Sequence, residues 1–287
     1  LHVRSRRQRQ MCIRDSHLLR RNPRDAQSLT TLADCLAAAD QPDLALDLYR
    51  FAACSADHNE ICAANYFSSC RQLSRTSEGL DFLRRRTATL GHLSAAPWIT
   101  LADSLTELLR HSEALDVISE ARRHRPNDGQ LLLHEAALHR AQGNFDDASR
   151  ILSSAWRMVP DQDWHRHAAT LAQIRGDAPA AISSWLKVLA IEPLSIPAHE
   201  NLVSLTAETS GIPAALDLLD SACRRFPWHM GLARLHVSWL RRDNRTDAEP
   251  ALLRMLAHNP ADDWAWREMA LEPVSYTHLT LPTTPYV

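Results

Sequence analysis

The stretch from Trp98 to Pro126, WITLADSLTELLRHSEALDVISEARRHRP, decides the fold of this chain. Apolar residues recur three or four positions apart in its first half, and in its second half the small residues Ala114 and Ala121 flank Ile118. Such spacing places the apolar side chains on one face of each of two consecutive helices. The same order returns about every 34 residues, a period typical of stacked helix pairs. The stretch therefore predicts one helical hairpin of a repeat array.

Prolines mark the end of the second helix in most of these hairpins. Because proline cannot continue a helix, it ends the helix that precedes it. Successive repeat ends lie roughly 33 to 35 residues apart, and Asp57 and Gly91 occupy the two positions in register that lack a proline. The prolines in register are Pro23, Pro126, Pro160, Pro193, Pro227 and Pro260.

This pattern resembles the tetratricopeptide repeat family. The resemblance implies an all-α fold, a right-handed α-solenoid of antiparallel helix pairs, in which each repeat consists of a helix A followed by a helix B. We predict seven complete repeats, preceded by the tail of another repeat over residues 17–25 and followed by the start of a further one over residues 263–272. The complete repeats are residues 26–59, 60–93, 95–128, 129–161, 162–195, 196–228 and 229–262.

The second repeat departs most from this pattern. The seam, meaning the contact line between helix A and helix B of one repeat, needs small residues so that the two helices approach closely. Here Phe67 takes a small-residue position on helix A, and Arg86 replaces the second alanine of helix B. We predict that Phe67 either splays this hairpin or is matched by the missing side chain of Gly79 opposite.

The two ends of the chain have an unusual relation to each other. Gln10 to Ser16 and Pro273 to His278 can be encoded by complementary DNA strands, and the match extends to residues 6–10 and 279–283. We interpret residues 1–16 and 273–287 as disordered, translated sequencing adapter, so that the remainder is a fragment; a basic leader and a Thr/Pro tail are the alternative. Such segments are excluded from reasoning about the fold.

Composition and motifs argue against several functions. The 45% apolar content suffices for a core, whereas the low count of seven glycines argues against a glycine-rich phosphate loop. Outside its basic first 16 residues the chain carries a net charge of about −6, which is no electrostatic footprint for nucleic acid. No apolar run reaches the length of a membrane span. No hydrolase, metalloprotease or nucleotide-binding motif occurs, so we predict no catalysis within residues 17–272.

Cysteine and histidine spacing predicts no cofactor or metal. Five cysteines lie between the two ends, their number is odd, and no CxxC pair occurs, which predicts buried free thiols and favours a reducing compartment such as the cytoplasm. These are Cys35, Cys54, Cys62, Cys70 and Cys223. His165 and His167 are two positions apart on a helix and point in different directions, so we predict a solvated helix start rather than a metal site.

The tryptophans fall into two groups. Five are predicted to lie in seams, namely Trp98, Trp156, Trp185, Trp239 and Trp266. The other three lie near loops or helix starts, where they either pack or act as exposed anchors for a partner. These three are Trp164, Trp228 and Trp264.

The family resemblance implies that helix A residues line a concave groove that binds a protein or peptide. This groove would be positive in its middle and carry carboxylates at its flanks, and arginine side chains suit carboxylate or phosphate groups on a peptide. Its candidate residues are Asn65, Arg71, Asp103, His134, Arg140, Arg166, His167, Gln173, Glu200 and Asn201. The lysines with which chaperone-binding members hold a carboxylate are missing, so we do not transfer that activity. Alternatively, these residues only keep the surface soluble.

Two functions follow from this pattern. The first is a protein-interaction scaffold with no cofactor. The second is the non-catalytic arm of a larger enzyme, such as a glycosyltransferase or sulfotransferase, because a fold alone does not choose between them. The full reading frame would discriminate: a long additional domain favours the enzyme, and a capping helix favours the scaffold.

Overall fold

The computed structural model describes residues 22–242 and 248–270, which form fifteen α-helices and no strand. The predicted all-α fold of antiparallel helix pairs is confirmed. Residues 1–16 and 273–287, and most of 17–25, lie outside the described residues. The helices are α1 (Ala26–Ala38), α2 (Pro42–Ser55), α3 (Glu60–Gln72), α4 (Thr76–Leu90), α5 (Ala96–Glu107), α6 (His111–His124), α7 (Gly129–Ala141), α8 (Phe145–Ser154), α9 (Asp161–Ile174), α10 (Ala178–Ile191), α11 (Ile196–Ser210), α12 (Ile212–Arg225), α13 (Met230–Arg242), α14 (Ala248–His258) and α15 (Asp263–Ala270).

The chain divides into two compact units. The first unit ends at Pro160 and the second begins at Asp161. In the first unit α1 to α8 form four helix pairs, and in the second α9 to α14 form three pairs followed by α15. Within each unit every helix packs against its neighbours in sequence. The bounds of the individual repeats remain a prediction.

Short polar side chains begin several helices. The Asp25 carboxylate accepts a hydrogen bond from the backbone N–H of Ser28 at 2.9 Å, and Asn59 and Asp128 do the same for the N–H groups two positions on, at 3.1 Å each. Such caps satisfy N–H groups that have no partner within the helix. They fix where helix A starts in the first, second and fourth repeats.

The turn from helix A to helix B uses a left-handed residue at the same position in five repeats. These residues are Asp40, Ser74, Leu109, Gly143 and Gly176, with φ between 59° and 81°. A left-handed residue reverses the chain directly after a helix, and glycine adopts it without the steric cost that other residues have. The shared turn therefore gives these five helix pairs the same local reversal.

The seams are built from small residues, as predicted. In the third repeat Ala102, Ala114 and Ala121 are 0–1% exposed. The second repeat is not splayed, because a Cβ atom on Gly79 would lie only 3.0 Å from Cβ of Cys70 and 3.1 Å from Cδ2 of Phe67. The missing side chain of Gly79 thus accommodates the Phe67 ring, which is buried.

Two of the tryptophans predicted to lie in seams are exposed. Trp156 is 41% exposed because α8 already ends at Ser154, which places this ring in the turn that follows. Trp266 is 55% exposed on α15, and any helix that could cover it after Ala270 lies outside the described residues.

Trp185 and Trp239 are buried, and Trp98 is half-buried with its indole N–H donated to the Gly91 carbonyl at 3.1 Å. Trp228 is exposed, whereas Trp164 and Trp264 are half-buried.

The cysteine prediction holds in part. The free thiols of the described residues are Cys54, Cys62, Cys70 and Cys223, and of these only Cys62 and Cys70 are buried. Cys54 is exposed near the end of α2, and Cys223 is half-buried on α12. Cys35 is half-buried on α1. The prediction of buried free thiols was therefore wrong for Cys35, Cys54 and Cys223.

Candidate functional site

The first unit presents a polar cleft where α1, α2 and α3 meet. The cleft has a volume of about 200 Å³, and its lining includes Asp34, Tyr49, Asn65, Ser68 and Gln72. Tyr49 donates its phenolic hydrogen to the Asp34 carboxylate, and its pKa is raised chiefly by burial and then by this bond. The cleft therefore offers a carboxylate beside the half-buried amide of Asn65.

Tyr49 was not among the predicted site residues, because it lies on a helix B at a spacing that predicts a core residue. Its phenolic hydroxyl is the feature that could have identified it from the sequence. A buried tyrosine hydroxyl needs a partner, and Asp34 stands at an exposed position on helix A of the same hairpin.

Two pairs of polar side chains continue along the helix A face of the first unit. Arg71 on α3 forms an exposed ion pair with Glu107 on α5 at 3.4 Å. His134 on α7 lies with Nε2 3.9 Å from the Asp103 carboxylate, while its Nδ1 lies 3.0 Å from the Gln130 carbonyl oxygen. The contact with the Gln130 carbonyl favours a proton on Nδ1.

Arg140 differs from Arg71, Asp103 and His134, the other ionisable residues predicted for the groove of the first unit. Its side chain is half-buried on α7, and within the described residues it makes no ion pair or side-chain hydrogen bond. Burial lowers the pKa of its guanidinium, which still remains protonated at any physiological pH. Arg140 is therefore a partly desolvated cation whose donors are available to a ligand.

In the second unit the predicted cation is already neutralised. Arg166 on α9 donates to Asp163 at 3.0 Å and also forms an ion pair with Glu192, which caps the end of α10. Its guanidinium thus joins a helix A to the end of the following helix B. Because two carboxylates surround it, Arg166 adds little net positive charge to this face.

Amide side chains connect two helix A segments of the second unit. Gln173 on α9 accepts from the Trp185 indole N–H at 3.0 Å and donates to Asn201 on α11 at 3.5 Å. Asn201 also donates to the Pro197 carbonyl at 2.8 Å. His167 is half-buried beside this row, and Glu200 is exposed. The helix A face of this unit is therefore a hydrogen-bonding surface more than a charged one.

The described residues show no arrangement that would hold a metal or cross a membrane. Within residues 22–242 and 248–270, no three His, Cys, Asp or Glu side chains are grouped so that they could bind a metal ion. His165 is buried, and its ring contacts the Trp164 ring edge-on, with the centroids 5.2 Å apart. In the same part of the chain, no helix has both the length and the apolar character of a transmembrane span.

Comparison with known proteins supports the fold and one stretch of repeats. A sequence model of the tetratricopeptide repeat family matches residues 105–174. A search of curated proteins found no significant match. Among solved structures, yeast Tom70 is similar with a TM-score of 0.59 and 14% identity over 90% of this chain and 56% of that chain. The hetero-tetramer Cut9-Hcn1 of the APC/C is similar with a TM-score of 0.50 and 15% identity over 90% of this chain.

These similarities cover only part of the related chains and concern the fold. This chain spans 51% of the Cut9-Hcn1 chain to which it is similar, so it corresponds to about half of that protein. At 14–15% identity the likeness concerns the fold alone. The described residues have the all-helical fold of tetratricopeptide-repeat structures, and residues 105–174 match that repeat family in sequence.

Proposed function

We propose that this chain is a non-catalytic scaffold that binds a peptide segment of a partner protein along the helix A face of its first unit. A tetratricopeptide-repeat fold is consistent with protein interaction in general. Repeats of this kind present extended surfaces on which a partner can lie. The proposal adds where the peptide lies and what chemistry it carries.

The observation that carries the proposal is the free guanidinium of Arg140. A half-buried arginine has lost part of its hydration, and within the described residues no carboxylate compensates it. A ligand carboxylate would supply the missing hydrogen bonds, and arginine binds carboxylates with two parallel N–H groups. The peptide therefore carries an acidic side chain or a terminal carboxylate at this position.

The cleft near α1 supports the same peptide at another point. Asp34 and Asn65 line it together with Ser68 and Gln72, so its chemistry suits an amide, hydroxyl or basic side chain. Between this cleft and Arg140 lie Arg71 and Glu107, and Asp103 and His134, each as an ion pair or near pair. We expect these exposed pairs to set partner preference more than affinity, because such charges remain hydrated.

The helix A face of the second unit is a polar surface of its own, on which the proposed peptide site does not depend. Gln173 and Asn201 already hydrogen-bond each other, yet each amide retains donor or acceptor capacity for a peptide backbone. Arg166 is held by Asp163 and Glu192, so we expect its replacement to affect the stability of the second unit more than peptide binding.

A peptide array followed by affinity measurement tests the proposal. Peptides that bind the full chain would be selected from an array with and without acidic residues, and their Kd measured by fluorescence polarisation. In Arg140→Glu, the binding of acidic peptides should weaken by about tenfold or more, because a charge-assisted hydrogen bond is lost and replaced by repulsion.

The matched control is Arg150→Glu. Arg150 is an exposed arginine on α8 that pairs with Asp147 at 2.9 Å, so its replacement makes the same change in net charge. The control should bind with nearly the original Kd. Equal affinity of Arg140→Glu and the unsubstituted chain for every selected peptide would exclude Arg140 from the binding surface.

A further inference from the structure

The second unit contains a cleft that the proposed groove does not use. It opens between α12 and α14, two consecutive B helices, and α13 contributes to its wall. Its volume is about 290 Å³, close to the lower end of small-molecule sites. The polar side chains that line it are Asp220, Cys223, Arg224, His236, Arg254 and His258, and apolar contacts come from residues such as Ala233 and Met255.

His236 is the unusual residue of this cleft. It stands at the seam position of helix A that holds an apolar residue in each of the six other repeats, and all six of those side chains are buried. The equivalent residues are Ala33, Phe67, Ala102, Ala136, Ala169 and Val203. A polar ring therefore replaces an apolar contact here, beside an open cleft.

The imidazole of His236 is buried without a partner. It is 6% exposed, and within the described residues its ring makes no hydrogen bond. Its nitrogens are not among the fully buried side-chain atoms that lack a partner, so they are reached from the open cleft. Burial, with a smaller contribution from Arg254, lowers the pKa of His236, and Asp220 opposes this shift. At neutral pH the ring is therefore uncharged, with one N–H donor and one acceptor to offer.

The charges around His236 leave one cation uncompensated. Arg224 is paired with Asp220 at 2.9 Å on the surface of α12. Arg254 on α14 has no ion pair or side-chain hydrogen bond in the described parts of the chain. The cleft thus carries one unpaired positive charge, which matches a monoanion better than a dianion.

Two other uses of the cleft are disfavoured. Burial raises the pKa of the Cys223 thiol to about 11, so the protonated thiol predominates at neutral pH and is a poor nucleophile. A metal site would need three or more donors grouped together, and the described residues contain no such group. What remains is a small polar pocket with an apolar wall, one cation without an ion pair and one imidazole ring without a hydrogen bond.

We propose that this cleft binds a small carboxylic acid with a compact apolar body. Its carboxylate takes hydrogen bonds from the His236 ring and the Arg254 guanidinium, and its apolar body packs on Ala233 and Met255. This site is independent of the peptide surface of the first unit, because it lies in the other unit and between B helices.

Titration of the full chain with benzoate tests this site, with benzyl alcohol as the uncharged analogue and inorganic phosphate as an anion without an apolar body. Saturation-transfer NMR and calorimetry should show saturable benzoate binding, and much weaker binding of the two other probes. Arg254→Gln and His236→Ala should each weaken benzoate binding by about tenfold, the effect of losing one charge-assisted or buried hydrogen bond.

Arg150→Gln is the control, since it removes an exposed arginine from the other unit and should leave the benzoate Kd unchanged. Helicity and melting of each variant would be compared by circular dichroism, so that a folding defect is not mistaken for lost binding. The proposal is overturned by any of three results: no saturable benzoate binding up to about 10 mM, equal binding of benzyl alcohol, or an unchanged benzoate Kd in folded Arg254→Gln.

Discussion

The second and third repeats of the first unit build the same seam from different residues. In the third repeat the three small positions hold Ala102, Ala114 and Ala121, and all are buried. In the second repeat the same positions hold Phe67, Gly79 and Arg86, and these are buried too. The comparison teaches that a seam depends on local matching of volume and polarity. It does not depend on alanine itself.

Arg86 shows how polarity is matched. Its guanidinium donates to Glu60 and to the carbonyl oxygens of Ala53 at 3.1 Å, Ala56 at 3.2 Å and Asp57 at 2.8 Å. These carbonyls lie at and just beyond the end of α2, where the other helix B segments are commonly followed by proline. A cation there satisfies carbonyl groups that have no partner in the helix and interacts favourably with the helix dipole. Arg86 thus takes over the termination of the preceding helix B.

The largest effect is expected when the arginine of the second repeat is placed in the third. Ala121→Arg puts a charged side chain into the seam of the third repeat. In the second repeat Glu60 pairs with the arginine, but the equivalent residue of the third repeat is Ala95. We expect a loss of about 4 kcal/mol or more in the free energy of unfolding, because a buried charge without a partner costs this much. Urea denaturation followed by circular dichroism measures it.

Ser119→Arg is the control for that change. Ser119 is exposed on the same helix α6, so it should alter stability by no more than about 0.5 kcal/mol. Adding Ala95→Glu to Ala121→Arg should restore part of the loss. Full stability of Ala121→Arg alone would show that the seam assignment of the third repeat is mistaken.

The next largest effect concerns Arg86 itself. Arg86→Met keeps most of the side-chain length but leaves Glu60 and three carbonyls without their donor, and we expect a loss of about 3 kcal/mol. Arg84→Met, at an exposed position of the same helix that pairs with Asp81 at 3.4 Å, should cost less than about 0.5 kcal/mol. Equal unfolding midpoints for the two variants would mean that Arg86 does not hold the end of α2.

A smaller effect tests the match between Phe67 and Gly79. Gly79→Leu overfills the seam, since even a Cβ atom there would lie 3.1 Å from the Phe67 ring, and we expect a cost of about 1–3 kcal/mol. In a Phe67→Ala background the same change should cost at least about 1 kcal/mol less, because the ring no longer occupies the space. Ser77→Leu on the exposed face of α4 is the control. Additive effects of the two substitutions would contradict direct packing.

The sequence predicts seams better than it predicts pairings. Alanine and leucine spacing identified Ala114, Ile118 and Ala121 as core because burial follows directly from helical periodicity. Trp156 was misplaced because the early end of α8 is set by a left-handed turn at Arg157, which no proline or glycine announces. Arg166 was predicted as a residue of the positive middle of the groove, and its spacing did not show that it reaches Glu192 at the end of α10. A long side chain chooses among several acceptors, and spacing alone does not say which one lies nearest.

His236 extends the comparison to the seventh repeat. It is a histidine at the seam position of helix A where the third repeat has Ala102. The information was present in the sequence, since an aligned register shows a histidine where the six other repeats are apolar. What the register could not show is whether a neighbour satisfies the ring. The structure places Asp220 and Arg254 near enough to influence its pKa, with no hydrogen bond to either.

The smallest expected effect is the pH dependence that His236 adds to stability. Burial lowers its pKa below the ordinary 6.5, so in the window between the two values the unfolded chain binds more protons than the folded chain. Stability must then fall as the pH falls below about 6.5, by up to about 1.4 kcal/mol per pH unit for one proton. Burial also lowers the pKa values of His165 and His199, so the unsubstituted chain should show their combined slope.

Urea denaturation at about pH 7.5, 6.5 and 5.5 would separate these contributions. His236→Ala should flatten the decline and leave the slope due to the two other histidines. Ala102→His would place an equivalent histidine in the third repeat. It should lower stability at every pH and steepen the decline, because Ala102 is only 1% exposed and a ring there would be desolvated. An unchanged slope in His236→Ala would mean that this imidazole reaches solvent and is not the desolvated group of the seam.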